Sequence, residues 1–404
     1  MKHNRKLLLV AYTFPPEISA GAVRPGYLAR YLPEFGWDVT TVTHSVQTPP
    51  FPARVISASS PGSRVIDMLP FRLRHALLSP DATAGWIPAA VSMGKTLLGL
   101  ERFDAILSTA HPPAVHMVGA KLAAVSGLPW IADYRDLWVG NPYITRNSLR
   151  AKYDAWLERT VLSRASRITT ISDPIAHGLA CLHGRDDVAV IPNAYDPSEW
   201  EAVVAARPQA FDLVFTGSMH SGIRNPDLLF SAIRELRAVN DDAGTRANVH
   251  FYGLNNESVD GSAARYDILS QVCRHPAIPR TQIMQVQRSA AVLLIFLSME
   301  PSTKTEMGSK YLEYVGARRP IMAFGPPDSV MRKFIAENRL GWFASTVEEA
   351  KQALHKTYEW YSTGAPDTNA DCQNVPTARN MAARFAQVLD DSRVLISLHA
   401  AAAI

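Results

Sequence analysis

Ser309, Lys310 and Glu313 are the residues of this 404-residue chain whose types and spacing offer the clearest chemistry. They lie in Thr305-Glu306-Met307-Gly308-Ser309-Lys310-Tyr311-Leu312-Glu313-Tyr314-Val315, ahead of Arg318-Arg319-Pro320-Ile321-Met322-Ala323. The stretch reads as loop, short helix, turn and buried strand. Ser309 suits an N-cap, and Tyr311, Leu312 and Val315 fall at helical spacing. A helix opening on Gly308-Ser309-Lys310 presents free backbone N–H groups and the positive end of its dipole, with a lysine beside them. That combination suits an anion, phosphate best of all. Glu313, one turn further in, can accept hydrogen bonds from a pair of hydroxyls such as those of a ribose. The segment therefore predicts a nucleotide diphosphate site. Loop, helix and strand with a Lys and a Glu also recur in α/β proteins for structural reasons alone, so the reading leans on the rest of the chain.

Other candidate groups follow the ends of apolar runs. Gly21 and Arg24 come after the run from Lys6 to Tyr12, and His111 after Phe103–Ser108. Asp133 closes the strand Pro129–Asp133, and Arg135 and Asp136 follow it. Gly217 and Arg224 come after Phe211–Thr216, where the arginine is placed to meet a diphosphate. Each alone has an ordinary explanation: a His after a strand is more often structural, and Asp-x-Arg-Asp can be an internal ion pair. Their repeated position is the better argument, because strand ends of an open parallel sheet face the ligand.

The elements needed to place these groups are legible. Continuous apolar runs such as Leu7–Tyr12 and Ala291–Phe296 mark strands covered on both faces. The first leads through a long loop, Thr13 to Pro25, into a helix carrying Tyr27, Leu28, Tyr31 and Leu32. The loop has no G-x-G-x-x-G, so an ordinary dinucleotide fingerprint is absent. Thr48 to about Gly99 is broken by prolines and predicts irregular structure with one or two helices. Tyr153, Trp156, Leu157 and Val161 mark the apolar face of an amphipathic helix. Alternating strands and helices in both halves predict two Rossmann-like doubly wound α/β domains facing a cleft. The expected divisions are 1–198, a linker at 199–210, 211–376, and a last helix in 377–404 packing back on the first domain.

Bulk composition narrows the function classes. A hydrophobic share of 47% is that of a globular protein. The net charge of +4, from 41 basic and 37 acidic residues, suits an anionic ligand or a peripheral contact with a membrane. The charges are scattered without a basic tract interleaved with aromatics, which argues against nucleic acid. Cys181, Cys273 and Cys372 form no metal or disulfide pattern, and a reducing cytoplasm is the expected setting. The apolar run near the N-terminus ends at Pro15-Pro16 without a small-residue cleavage site and reads as a strand. No run reaches the roughly 18 apolar residues of a membrane-spanning helix.

The order of these motifs resembles the retaining glycosyltransferases of the GT-B fold, in the large family 4 or "group 1" set. The resemblance rests on Phe14-Pro15-Pro16 with Gly21, on Gly36-Trp37-Asp38-Val39-Thr40-Thr41-Val42-Thr43, on Phe103–His111, on Ile191-Pro192-Asn193, and on the block from Ser309 to Ile321. It implies sugar transfer, hexosyl or N-acetylhexosaminyl, from a UDP- or GDP-linked donor to a glycan, lipid-linked or small-molecule acceptor. It implies a role in bacterial surface polysaccharide or glycoconjugate synthesis. It places Glu313 on the donor ribose, and Gly308, Ser309, Lys310, Gly217 and Arg224 at the diphosphate. Gly21 and Arg24 belong to the loop that approaches the diphosphate, and His111, with Asp133 and Arg135, lines the reaction centre. No cofactor is expected and, with no Asp-x-Asp pair, no metal. The chain departs from the family where Thr305 and Glu306 replace the usual first glutamate, and where Ser218 stands at a common arginine position. Those departures keep two alternatives in view: a GT-B-fold sugar-nucleotide epimerase using Asp133 and Asp136, and a non-catalytic nucleotide-sugar-binding partner subunit.

Overall fold

A computed structural model describes residues 4–17, 19–44, 48–59, 79–141, 147–204, 207–219, 224–254, 256–300, 307, 310–364 and 375–402 of the chain, with side chains up to 393. It divides into two units, Met1–Ala194 with Pro376–Ile404, and Tyr195–Val375.

The first unit runs β1 (Arg5–Val10), α1 (Ala20–Tyr31), β2 (Trp37–Thr43), β3 (Arg54–Ser57), α2 (Ile87–Leu100), β4 (Ala105–Ala110), α3 (Ala114–Ser126), β5 (Trp130–Tyr134), α4 (Ser148–Leu162), β6 (Arg167–Thr170), α5 (Asp173–His183) and β7 (Val188–Val190). The strands form one parallel sheet in the order β3-β2-β1-β4-β5-β6-β7. The apolar runs behave as their composition requires: Leu7 to Val10 and all of β4 and β5 are buried. One face packs against α2 to α5 around Trp86, Ile106, Val118 and Trp130. On the other, Leu7, Leu9 and Ile131 meet Leu28 of α1, and Met381 and Phe385 of the last helix.

The second unit runs β8 (Asp212–Thr216), α6 (Asp227–Ala238), α7 (Asp242–Thr245), β9 (Asn248–Tyr252), α8 (Ser258–Arg265), β10 (Val272–His275), α9 (Arg280–Ser289), β11 (Val292–Phe296), α10 (Lys310–Ala317), β12 (Ile321–Phe324), α11 (Val330–Glu337), β13 (Gly341–Ala344) and α12 (Val347–Thr363). The chain then enters α13 (Ala378–Ala402), the last helix of the first unit. The sheet is again parallel, ordered β10-β9-β8-β11-β12-β13. Val292 to Phe296 is wholly buried at its centre. The expected doubly wound α/β class therefore holds in both units.

Three local expectations change. Helix α1 begins at Ala20, so Gly21 and Arg24 lie in a helix rather than a loop. A short strand, β3, occupies part of the stretch expected to be irregular, carried by the β-branched pair Val55-Ile56. The amphipathic helix at 153–161 exists, but Tyr153 and Trp156 are 46% and 59% exposed, and Asp154 and Glu158 take the buried face.

Candidate active site

In each sheet the strand order reverses at one point, between β1 and β4 in the first and between β8 and β11 in the second. Crevices at the carboxyl ends of such strand pairs are where open α/β sheets bind ligands. Among the described candidates, Gly21, His111 and Arg135 come together in the first unit, and Gly217, Lys310 and Glu313 in the second.

In the first unit β4 ends at Ala110 and delivers a half-buried His111. Arg135, just past β5, ties the neighbouring segments together. Its Nε donates to the Ala110 carbonyl at 2.7 Å, Nη2 to the His111 carbonyl at 2.9 Å, and Nη1 to the Gly21 carbonyl at 2.9 Å. Burial pushes the guanidinium down to about 10, against the pull of Asp133, so it remains a cation at neutral pH. The space that Gly21 leaves is used: a β-carbon there would stand 2.6 Å from Thr13 Oγ1 and 3.4 Å from Ser19 Oγ. Both of those hydroxyls are buried without a hydrogen-bond partner among the described residues.

Asp133 and Arg24 form a second, deeper layer. Arg24 donates from Nε and Nη2 to the two Asp133 oxygens, both at 2.9 Å. Thr109 and Thr169 each add a hydroxyl hydrogen bond to the carboxylate, at 2.7 and 2.8 Å. Burial raises the Asp133 carboxyl, but Arg24 and the two hydroxyls outweigh it and hold it below the ordinary range. The remaining Arg24 donors go to the Ile191 and Pro192 carbonyls at 2.9 and 3.1 Å. The Ile-Pro-Asn stretch is thus a carbonyl cradle for a buried arginine. Asp133, Arg135 and Arg24 were expected at the substrates. Their side chains are instead turned into the protein, because a bidentate buried ion pair and five backbone carbonyls take up their polar atoms. They hold the end of β4 that carries His111 and the start of α1 that carries Gly21.

In the second unit β8 ends at Thr216 and turns at Gly217, whose φ of +141° favours glycine. A side chain there would also meet Lys310, whose Cε stands 3.1 Å from the β-carbon position. Lys310 opens α10, and Glu313 follows on the same helix. Glu313 is 28% exposed, with Lys310 Nζ 3.4 Å from one carboxylate oxygen and Arg280 Nη1 3.6 Å from the other. Burial raises its pKa, but Lys310, Arg280 and the Gln287 amide prevail and lower it, so the group is an acceptor at neutral pH.

Beneath Glu313 lies a polar network that sequence reasoning missed. Gln287 Nε2 donates to Glu313 Oε2 at 3.2 Å and to Thr216 Oγ1 at 2.9 Å. The Tyr314 hydroxyl receives the Thr216 N–H at 3.1 Å. Asn256 braces the turn, accepting from the Met219 N–H and donating to the Gly217 carbonyl. The one available signal was a Gln in register with Met284 on the apolar side of α9. Arg224 stands half-buried three residues before α6. Gly308, Ser309, Thr305 and Glu306 lie outside the described residues.

Residues 20–194 match the family described as glycosyl transferase 4-like domain. No curated protein sequence matches the chain. Among solved structures, Anabaena HepE in complex with UDP and glucose covers 96% of this chain and 100% of its own at 12% identity, with a TM-score of 0.64. A glycosyltransferase from Rickettsia africae covers 96% and 98% at 11% identity, TM-score 0.65. WaaG, a glycosyltransferase involved in lipopolysaccharide biosynthesis, covers 95% and 99% at 13% identity, TM-score 0.63. At such identities the likeness shows the fold, and that fold is GT-B. The resemblance seen in the motifs therefore holds for the fold.

Proposed function

Starting from a chain with a glycosyl transferase 4-like domain over residues 20–194 and the GT-B fold, we propose that it transfers a sugar from a nucleotide diphosphate sugar to an acceptor hydroxyl, retaining the anomeric configuration. The carrying observation is the Glu313 carboxylate, kept ionised by Lys310 and Arg280 and fixed by Gln287 at the strand-order reversal of the second unit.

In this reading Glu313 accepts the ribose hydroxyls of a UDP- or GDP-linked donor. Lys310 and Arg224, with the N–H groups around Gly308 and Ser309, meet the diphosphate. They neutralise the charge that develops on it as the glycosidic bond breaks, which is the electrostatic work such a site must do. Gly217 keeps the turn small enough for Lys310 to lie across it. No metal or cofactor is needed, because these cations and the helix dipole supply the positive charge. The first unit serves the acceptor and the reacting atoms through His111, whose backbone Arg135 holds. The acceptor hydroxyl attacks on the face the diphosphate leaves. Transfer of a hexose or N-acetylhexosamine to a glycan or lipid-linked acceptor, in bacterial surface polysaccharide or glycoconjugate synthesis at the cytoplasmic side of the membrane, fits this site; the likeness to WaaG supports it.

The test is nucleotide release from UDP-, GDP-, dTDP- and ADP-sugars with a lipid and glycan extract as acceptor, wild type against Glu313→Ala and His111→Ala. One donor that turns over, and is lost in both variants, is the expected result. Conversion of a donor without acceptor would replace the transferase with an epimerase. Binding without turnover would replace it with a partner subunit, and no nucleotide binding would overturn the site.

A further inference from the structure

Three ionisable side chains that the transfer chemistry does not use are linked in a row on one face of the second sheet. Asp212 opens β8, His250 lies within β9 and His275 closes β10. His250 Nε2 stands 3.4 Å from Asp212 Oδ1, and its Nδ1 stands 3.0 Å from His275 Nε2. The Tyr252 ring stacks on the His275 ring, with centroids 4.1 Å apart and planes 11° apart, and so fixes how that imidazole lies. Among the described residues no group of three or more His, Cys, Asp and Glu is arranged to hold a metal ion, and the three are joined by hydrogen bonds.

The chain of contacts assigns the protons. A carboxylate only accepts, so His250 carries its proton on Nε2, facing Asp212. The imidazole in turn holds the Asp212 carboxyl below the usual carboxylate range. A neutral His250 then has its lone pair on Nδ1 and accepts from His275 Nε2. Burial and the neighbouring His250 push His275 below the ordinary histidine range, so its ring is neutral at pH 7 and above. A lone pair is therefore left on His275 Nδ1, and no described residue bonds to it. Position decides what that lone pair can meet. Thr216, Tyr252 and His275 are register partners that end β8, β9 and β10, side by side at the carboxyl edge of the sheet. Thr216 is tied through Gln287 to Glu313. His275 lies two strand spacings further along, roughly 10 Å. Gly217 and Gly253 follow the first two, and a β-carbon on Gly253 would lie 2.3 Å from the Gly217 carbonyl oxygen, so this ledge carries no side chain at either turn.

We propose that Asp212 and His250 set His275 as an acceptor for the ring N–H of the donor's nucleobase, and so select uracil, thymine or guanine over adenine and cytosine. The first three carry a proton on the ring nitrogen of the pairing edge. The other two carry a lone pair there, which would face the lone pair of His275. His275 touches the base, and Asp212 and His250 are positioning residues that act through it. This assignment rests on the transfer reading above, in which Glu313 holds the ribose, and adds the choice of base to it.

The experiment is calorimetry of the full chain at pH 8 with UDP, dTDP, GDP, ADP and CDP, and with the ring-N-methyl analogues of the first three. Wild type is compared with His275→Phe, which keeps a ring on Tyr252 and removes the acceptor. Wild type should bind at least one of UDP, dTDP and GDP tighter than both ADP and CDP by about tenfold or more, the worth of one hydrogen bond. Methylating the ring nitrogen of the preferred base should cost wild type about tenfold more than it costs His275→Phe. Nitrogen-15 NMR without nucleotide should show the Nε2–H form of His275 in wild type and a mixture of forms in His250→Phe. ADP or CDP bound as tightly, an equal methylation cost in both proteins, or an Nδ1–H form in wild type would each overturn the selection while leaving the donor site in place. Failure to bind any of the nucleotides would instead overturn the transfer reading, and this assignment with it. Melting temperatures check the variants, and the wild-type measurements decide the matter even where a variant does not fold.

Discussion

Arg135 donates from Nη1 to the carbonyl oxygen of Gly21 at 2.9 Å. The acceptor is available for a reason written in the same helix. Pro25 lies inside α1, four residues after Gly21, and has no N–H to give that carbonyl its intrahelical partner. The orphaned acceptor goes to Arg135, which also holds the His111 carbonyl. A proline that would ordinarily weaken a helix here frees the contact that fixes the start of α1 to the segment after β4.

Arg135→Ala should therefore leave buried carbonyls unsatisfied, at about 1–3 kcal/mol each. Transfer should fall by roughly 100-fold, mainly in kcat, because His111 and Gly21 lose their registration. Arg135→Lys should restore little, since an ammonium cannot serve three separated carbonyls as a planar fork does. Steady-state kinetics beside thermal melts decide it; a variant with wild-type kcat would sink this role.

The Arg24–Asp133 pair predicts a stability effect rather than a kinetic one. Asp133→Asn or Arg24→Ala strips one member from a buried, fully hydrogen-bonded pair and should cost about 3–5 kcal/mol in denaturant unfolding. The folded pKa of Asp133 is depressed, so its contribution is fully present above the unfolded value near ~3.9 and is lost as pH falls through the folded one. Unfolding curves unchanged in either variant would contradict this.

His116 gives the clearest acid-side signature. It is wholly buried, bonded through Nδ1 to Ser108 Oγ at 2.8 Å and stacked on Tyr134. Burial pushes it down to about 3. The unfolded chain therefore takes up a proton there that the folded chain refuses. Stability is complete above the ordinary value near ~6.5 and declines by about 1.4 kcal/mol per pH unit as pH falls from there toward the folded pKa. His116→Leu should flatten that slope between pH ~6 and ~4. An identical pH profile in the variant would refute it.

For the donor site, Glu313→Ala should weaken nucleotide diphosphate binding by roughly 10- to 100-fold, the loss of about 1.5–3 kcal/mol for hydrogen bonds to a charged group. Gln287→Leu should reproduce part of this without touching the ligand, because Glu313 loses the amide that orients it. Calorimetry against the nucleoside diphosphate and its deoxyribose counterpart separates the roles. Discrimination between the two should shrink in both variants, and full retention in Gln287→Leu would assign that residue to packing alone.

Much of this protein was legible in its sequence. Continuous apolar runs such as Leu7–Val10 and Val292–Phe296 can only be strands covered on both faces, and their alternation with helical spacing dictates doubly wound sheets. Lys310 and Glu313 sit one turn apart on a short helix, as local spacing requires. What the chain alone could not decide was where its charges point. Arg24 meets Asp133 across 109 residues, and Gln287 reaches Thr216 across 71, partnerships set by the path of the backbone rather than by any local pattern. Periodicity located α4 and its buried Val161 but put Tyr153 and Trp156 on the wrong face. A helical stripe of Tyr and Trp reads as core unless something else claims the interior, and only the tertiary structure brings Tyr134 and Val139 to the Glu158 carboxylate that helps claim it.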